Sequence, residues 1–178
     1  LISRSAPGGG EWWAPLDTIV ESLVEETPNL YRDSQPPNLS RLQATPLMVG
    51  GVLYFNTPLS QGVAVDATTG QTLWVFNPKT YEEGTPSMSS PWTQRGVAYW
   101  TDGQDERIFW GTSEGYLHAV DAKTGQPPPT FGTNGRVDLT EGIPRATRGD
   151  MNYQGRNLLG VKSPPVVLRD VVVAPTII

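Results

Sequence analysis

The side chains able to do chemistry are few and scattered. His118 is the one histidine in 178 residues, and cysteine is absent. General-base chemistry therefore has a single ordinary imidazole candidate, and neither thiolate metal ligation nor a disulfide arises. No serine and aspartate are placed around His118 to argue a nucleophilic triad, and it reads as a structural or exposed residue at the start of a strand. Asp102, Asp105 and Glu106 offer oxygen ligands of the kind a hard cation takes. Their spacing matches no calcium-loop pattern, and the group reads as a charged loop tip. Arg95 stands ahead of Gly96-Val97-Ala98-Tyr99-Trp100. A guanidinium there can give two parallel charge-assisted hydrogen bonds to a planar carboxylate; it reads equally as a solvated or ion-paired arginine at a strand start. Asp66 and Asp121 stand in matching settings, which assigns both to turn closure rather than catalysis.

Those settings define the elements that must carry everything else. Val63 to Gln71 (VAVDATTGQ) is repeated by His118 to Gln126 (HAVDAKTGQ), with Ala, Val, Asp, Ala, Thr, Gly and Gln in register. Val63 and Val65 alternate with smaller residues, as in a half-buried strand. The aspartate accepts from backbone N–H groups just ahead of it, and the glycine supplies a positive φ. After the first copy Leu73-Trp74-Val75-Phe76 forms a return strand; after the second, Pro127 to Pro129 replaces it. A second element repeats as well: Pro46 to Phe55 is echoed by Pro165 to Ala174, with a partial copy at Arg95 to Trp100. The order is hairpin, AxDxxTG hairpin, hairpin, AxDxxTG hairpin, hairpin. Self-similarity of this kind in an all-β chain indicates propeller blades.

Composition sets the bounds. A hydrophobic fraction of 37% allows one ordinary domain, and six tryptophans call for buried layers that take large side chains. Trp74, Trp100 and Trp110 are expected to pack blade against blade. The net charge of −5 and the lack of a basic run argue against nucleic acid and anionic membranes as partners. No apolar run approaches the roughly 20 residues of a transmembrane helix. Residues 1–42 read as an irregular lead-in with one short helix over 17–26, and residues 43–178 as blades. Residues 131–160 read as irregular. Two or three blades cannot close a ring, so the remaining blades of a longer protein, or self-association, must cover their faces.

The motifs AxDxxTGxxxW (Ala64 to Trp74), Gly51-Val52-Leu53-Tyr54-Phe55, Arg95-Gly96-Val97-Ala98-Tyr99-Trp100 and Gly135 to Leu139 resemble the pyrroloquinoline quinone (PQQ) dependent dehydrogenases, the quinoprotein glucose and alcohol dehydrogenases. The resemblance covers roughly residues 38–178. It implies an eight-bladed propeller with PQQ on the axis beside a calcium ion, of which this chain resembles the first two to three antiparallel blades. It also implies oxidation of a sugar or alcohol with electrons passed to a quinone or cytochrome, and a periplasmic location, either free or attached to the inner membrane through a segment outside this chain. By position in the family pattern, Arg95 falls on the arginine that pairs with a PQQ carboxylate. Gln43 falls where the family has Glu, and Lys162-Ser163 falls on a Thr-Ser pair ahead of Pro164-Pro165. Thr176 lies where small residues approach the cofactor, next to Pro175, which has no backbone donor. The cofactor-binding set is therefore Gln43, Arg95, Lys162, Ser163 and Thr176. No catalytic or metal-binding residue is assigned within the chain; calcium ligands are expected beyond residue 178 and the Asp base in later blades. The vicinal cysteine pair of the alcohol dehydrogenase branch is missing, with Ser89-Ser90 in that region, which favours a glucose dehydrogenase-like or separate branch. The alternative is a non-catalytic PQQ-like repeat propeller that acts as a protein-binding or assembly scaffold.

Overall fold

A computed structural model describes residues 43–80, 93–142 and 160–176. The expected helix over 17–26 and Ser89-Ser90 lie outside the described residues. What is described is all-β, and its sheets are antiparallel, as the alternating apolar runs lead one to expect. The first sheet holds β1 (Leu47–Val49), β2 (Val52–Asn56), β3 (Gly62–Asp66) and β4 (Thr72–Phe76) in sequential order. The second repeats that meander with β5 (Ala98–Thr101), β6 (Glu106–Gly111), β7 (Tyr116–Asp121) and β8 (Arg136–Asp138). A two-stranded hairpin, β9 (Val166–Leu168) and β10 (Val171–Val173), opens a third unit.

The AxDxxTG copies fold into the same turn, bond for bond. Asp66 Oδ1 accepts from the Thr68 and Thr69 amides at 2.9 and 2.7 Å and from the Thr69 hydroxyl at 3.0 Å. Asp121 Oδ1 accepts from Lys123 N, Thr124 N and Thr124 Oγ1 at 3.1, 2.8 and 2.8 Å. The threonine hydroxyl then accepts from the amide of Gln71 or Gln126, at 3.3 Å in both copies.

The sheets stack as layers, and strand periodicity shows how. In β6, Ile108 and Trp110 point into one core with Tyr54, Ala64 and Val120, while Phe109 between them points into another with Ala98, Ala119 and partly buried Val167. The second sheet is thus sandwiched between the first and the β9–β10 hairpin. The expectation of a half-buried strand at Val63 and Val65 is corrected by this layering. Gly62 to Val65 are all buried, because Ala64 faces the second sheet while Val63 and Val65 join Phe55 and Leu59 behind.

Tryptophans bridge the layers, as their number led us to expect. Trp110 is fully buried and its Nε1 donates to Ser60 O at 2.8 Å. Trp74 Nε1 donates to Ala122 O at 2.9 Å, so the return strand of the first blade docks on the motif turn of the second. That docking needs Gly125: its φ is +70°, and a Cβ there would lie 2.7 Å from the Trp74 ring. Trp100 Nε1 reaches Arg169 O of the third unit at 2.9 Å.

A second expectation is overturned. The second blade does have a return strand: β8 pairs with β7 through Leu117↔Val137 and His118↔Arg136, inside the stretch read as irregular. Pro127 to Pro129 have no amide to give, so they cannot pair with the end of β7. The chain loops out past them, and Gly135 O returns to accept from Ala119 N at 2.8 Å.

The outer face of β9–β10 carries Val166, Leu168, Val171 and Val173, all more than half exposed.

Candidate functional site

The first strands of the three units enter side by side, and the site is built at that entrance. Thr45 N donates to Arg95 O at 3.0 Å, and Arg95 N donates to Lys162 O at 3.0 Å. Thr45 and Gly96 form a parallel bridge. Gly96 makes the approach possible: with φ at +143°, a Cβ would sit 3.1 Å from Thr45 O and 3.2 Å from Pro164 Cγ. A larger residue would push the three segments apart.

Four of the expected site residues meet at this entrance. Gln43, exposed, lies two residues before the Thr45 contact; Arg95, exposed, is the central rung; Lys162, buried, is the opposite rung, with half-buried Ser163 beside it. For Thr176 the strand pairing gives a direction only. Val173 pairs with Val166, so the chain leaving β10 runs back towards the end of the hairpin from which Ser163 enters, and Thr176 is exposed there.

The wall is held from behind by polar groups that sequence reasoning did not single out. Gln94, 2% exposed, donates from Nε2 to Ser60 Oγ at 3.2 Å and to Ser113 Oγ at 3.4 Å. Its Oε1 accepts from Asn56 Nδ2 at 3.4 Å. These bonds tie the residue next to Arg95 to the β2–β3 and β6–β7 loops. Val161, fully buried, donates its amide to Thr112 O at 2.9 Å and so fixes the residue next to Lys162. A glutamine just before an arginine at a strand start carries no signal in one sequence, which is why Gln94 was missed.

Electrostatically the wall is cationic. Burial, and then the positive charge of Arg95, pull the Lys162 ammonium below its ordinary value. Among the described residues the two ion pairs are Arg107–Asp105 and Lys123–Glu106, both away from this entrance. Neither Arg95 nor Lys162 has a carboxylate partner among them. The backbone bonds place a guanidinium-bearing and an ammonium-bearing residue on neighbouring strand entrances, with the hydroxyl-bearing Ser163 next in sequence.

The other candidates have structural work. His118 is 3% exposed, stacked on Trp110 at 5.5 Å, and depressed to about 3 by burial and by Arg136. It is a neutral core residue. Asp102 Oδ1 accepts from the Gln104 and Asp105 amides, both at 2.8 Å, which closes the loop tip as read.

Comparison with known proteins agrees with this architecture. The family model for the glucose/ethanol/alcohol dehydrogenase β-propeller domain (PQQ) matches residues 24–178. The dehydrogenase subunit of the quinone alcohol dehydrogenase of Acetobacter aceti is 37% identical over 64% of this chain and 15% of its own length. A quinohemoprotein alcohol dehydrogenase of Pseudomonas putida is 34% identical over 70% of the chain and 19% of its own. The glycerol dehydrogenase large subunit of Gluconobacter oxydans is 27% identical over 95% of the chain and 25% of its own. Among solved structures, a quinohemoprotein alcohol dehydrogenase of Pseudomonas putida superposes with a TM-score of 0.59 at 28% identity, covering 78% of this chain and 17% of that one. The chain thus spans a quarter or less of the length of these relatives. By its motif turns, its stacked blades and the reach of the family match, the chain belongs to the PQQ-dependent glucose/ethanol/alcohol dehydrogenase β-propeller family.

Proposed function

We propose that this chain forms the first blades of a PQQ-dependent dehydrogenase and supplies one wall of its cofactor site. One observation carries the reading: three strand entrances converge on Arg95 and Lys162, two cations with no carboxylate partner among the described residues. The donor set fits PQQ, a planar quinone bearing carboxylates. Arg95 would hold one carboxylate by paired N–H donors, and Lys162 and Ser163 would add a charge and a hydroxyl. Gln43 and Thr176 would flank the ring at the two outer segments, Gln43 as an amide where a carboxylate would repel an anion. When bound, PQQ supplies the two-electron oxidant. The chain's own part is to bind and orient it, with the Gln94 bonds keeping Arg95 in place.

An alcohol is the substrate class the named relatives favour, with a sugar as the second option; a quinone or a cytochrome would accept the electrons, in the periplasm. Calcium belongs to the same reading, with its ligands beyond residue 178. Among the described residues no group of three or more His, Asp or Glu could hold a metal. The bare outer face of β9–β10 suits coverage by a following blade.

The test is a PQQ titration of the chain monitored by tryptophan fluorescence, with Arg95→Ala alongside. Saturable quenching that Arg95→Ala weakens at least tenfold supports the reading. A folded chain that gives no saturable quenching contradicts it.

A further inference from the structure

We infer that Ser60 and Gln94 are positioning residues: through the bond between them, the docking of the first blade on the second sets where Arg95 stands in the wall. The ligand of that wall rests on the function proposed above; the coupling rests on bonds within this chain.

Residues 94 and 95 tie all three units together. The Arg95 backbone accepts from Thr45 N of the first unit and donates to Lys162 O of the third, both at 3.0 Å. Gln94 is buried and Arg95 exposed, so the adjacent side chains part, one into the seam between the blades and the other to the surface. Gln94 therefore acts on the wall through the backbone it shares with Arg95. Its amide spans the seam. Oε1 accepts from Asn56 Nδ2 at 3.4 Å and Nε2 donates to Ser60 Oγ at 3.2 Å, both in the first blade; Nε2 also donates to Ser113 Oγ at 3.4 Å in the second. Asn56, Ser60 and Ser113 are each no more than 2% exposed, so none of them can turn to bulk water if the amide is lost.

Ser60 is the more telling end of this link. Its φ is +64°, a left-handed backbone that a residue other than glycine adopts at a cost. The second blade holds it at two polar groups: Trp110 Nε1 donates to its carbonyl at 2.8 Å, and Gln94 donates to its hydroxyl. Glycine would suit that backbone better and would keep the carbonyl contact. What serine adds is the hydroxyl, and that hydroxyl meets the residue next to Arg95.

The test compares wild type with Ser60→Gly, Gln94→Leu and the double variant. Each is measured by equilibrium dialysis against PQQ, by thermal melting, and by hydrogen exchange of the ligand-free chain. Ser60→Gly accepts the left-handed backbone and removes only the hydroxyl, so its melting temperature should change little and the variant stays folded. The coupling predicts PQQ binding about threefold or more weaker in Ser60→Gly and about tenfold weaker in Gln94→Leu, the losses expected for one and for several hydrogen bonds. It also predicts faster exchange in the peptide that carries Arg95 and Gly96. In the double variant the losses should not add, because the serine acts through the glutamine. Unchanged PQQ binding and unchanged exchange of that peptide in Ser60→Gly overturn the coupling and leave the proposed function standing. Additive losses in the double variant also overturn it. If wild type binds no PQQ, faster exchange confined to that peptide in Ser60→Gly supports the coupling and removes the proposed ligand; unchanged exchange overturns both.

Discussion

The two four-stranded blades share a turn and differ in the segment beyond it. In both, an aspartate closes three hydrogen bonds within three residues of itself, with lengths that agree within about 0.2 Å. In the first blade the next residues enter β4 at once and Trp74 docks on the second blade's turn. In the second, three prolines postpone the return to β8, three residues long and without a tryptophan. The turn is local chemistry and survives this change intact. Docking is a property of pairs of blades, and it varies with the residue each blade presents. Substitutions in docking groups should therefore cost much more than substitutions in the turns.

The largest effect is expected at Trp110. It is fully buried and donates across the sheets to Ser60 O. Trp110→Ala should lower stability by about 3–5 kcal/mol in urea denaturation. Next is Gly125→Ala, which combines a left-handed backbone with a 2.7 Å approach to Trp74. A loss of about 2–4 kcal/mol is expected, and a loss under about 1 kcal/mol would remove the close approach as a reason for the glycine.

Acid should act on the same interface. Folded His118 sits at about 3 against an ordinary 6.5, so the unfolded chain binds the proton more readily. Its contribution is therefore complete above about pH 6.5 and declines as pH falls towards 3, with about 2 kcal/mol lost by pH 5. His118→Phe should flatten that part of the stability–pH curve, and an unchanged slope would show that other groups set it. The smallest effects belong to the turns. Asp66→Ala and Asp121→Ala should lower the thermal midpoint slightly and equally. A clearly larger loss at Asp121 would mean that the turn, too, depends on docking, since its neighbour Ala122 is the acceptor for Trp74.

The same division between local and paired interactions separates the legible features from the silent ones. Strands such as β3 and β7, both AxDxxTG turns and the bridging tryptophans were legible because side-chain pattern and turn chemistry are local. The delayed β8 was not. Its pairing with β7 spans a loop whose length the prolines set, and Arg136-Val137-Asp138 is too short to show a period. Val63 and Val65 alternate as in a half-buried strand, but the layers on both faces of β3 are a tertiary fact. At the site, Arg95 stood out through its motif. The lateral bonds that join it to Thr45 and Lys162 link residues 50 and 67 positions away and leave no trace in local pattern. The burial of Lys162 was equally silent.

The most direct test of the cofactor wall is hydrogen exchange of the chain with and without PQQ, resolved by peptide. The converging entrances predict slower exchange in the peptides that carry Arg95 and Val161-Lys162, with no change in the two AxDxxTG turns at the opposite ends of their sheets. Protection centred on those turns, or uniform rates across the chain with PQQ in excess, would contradict it.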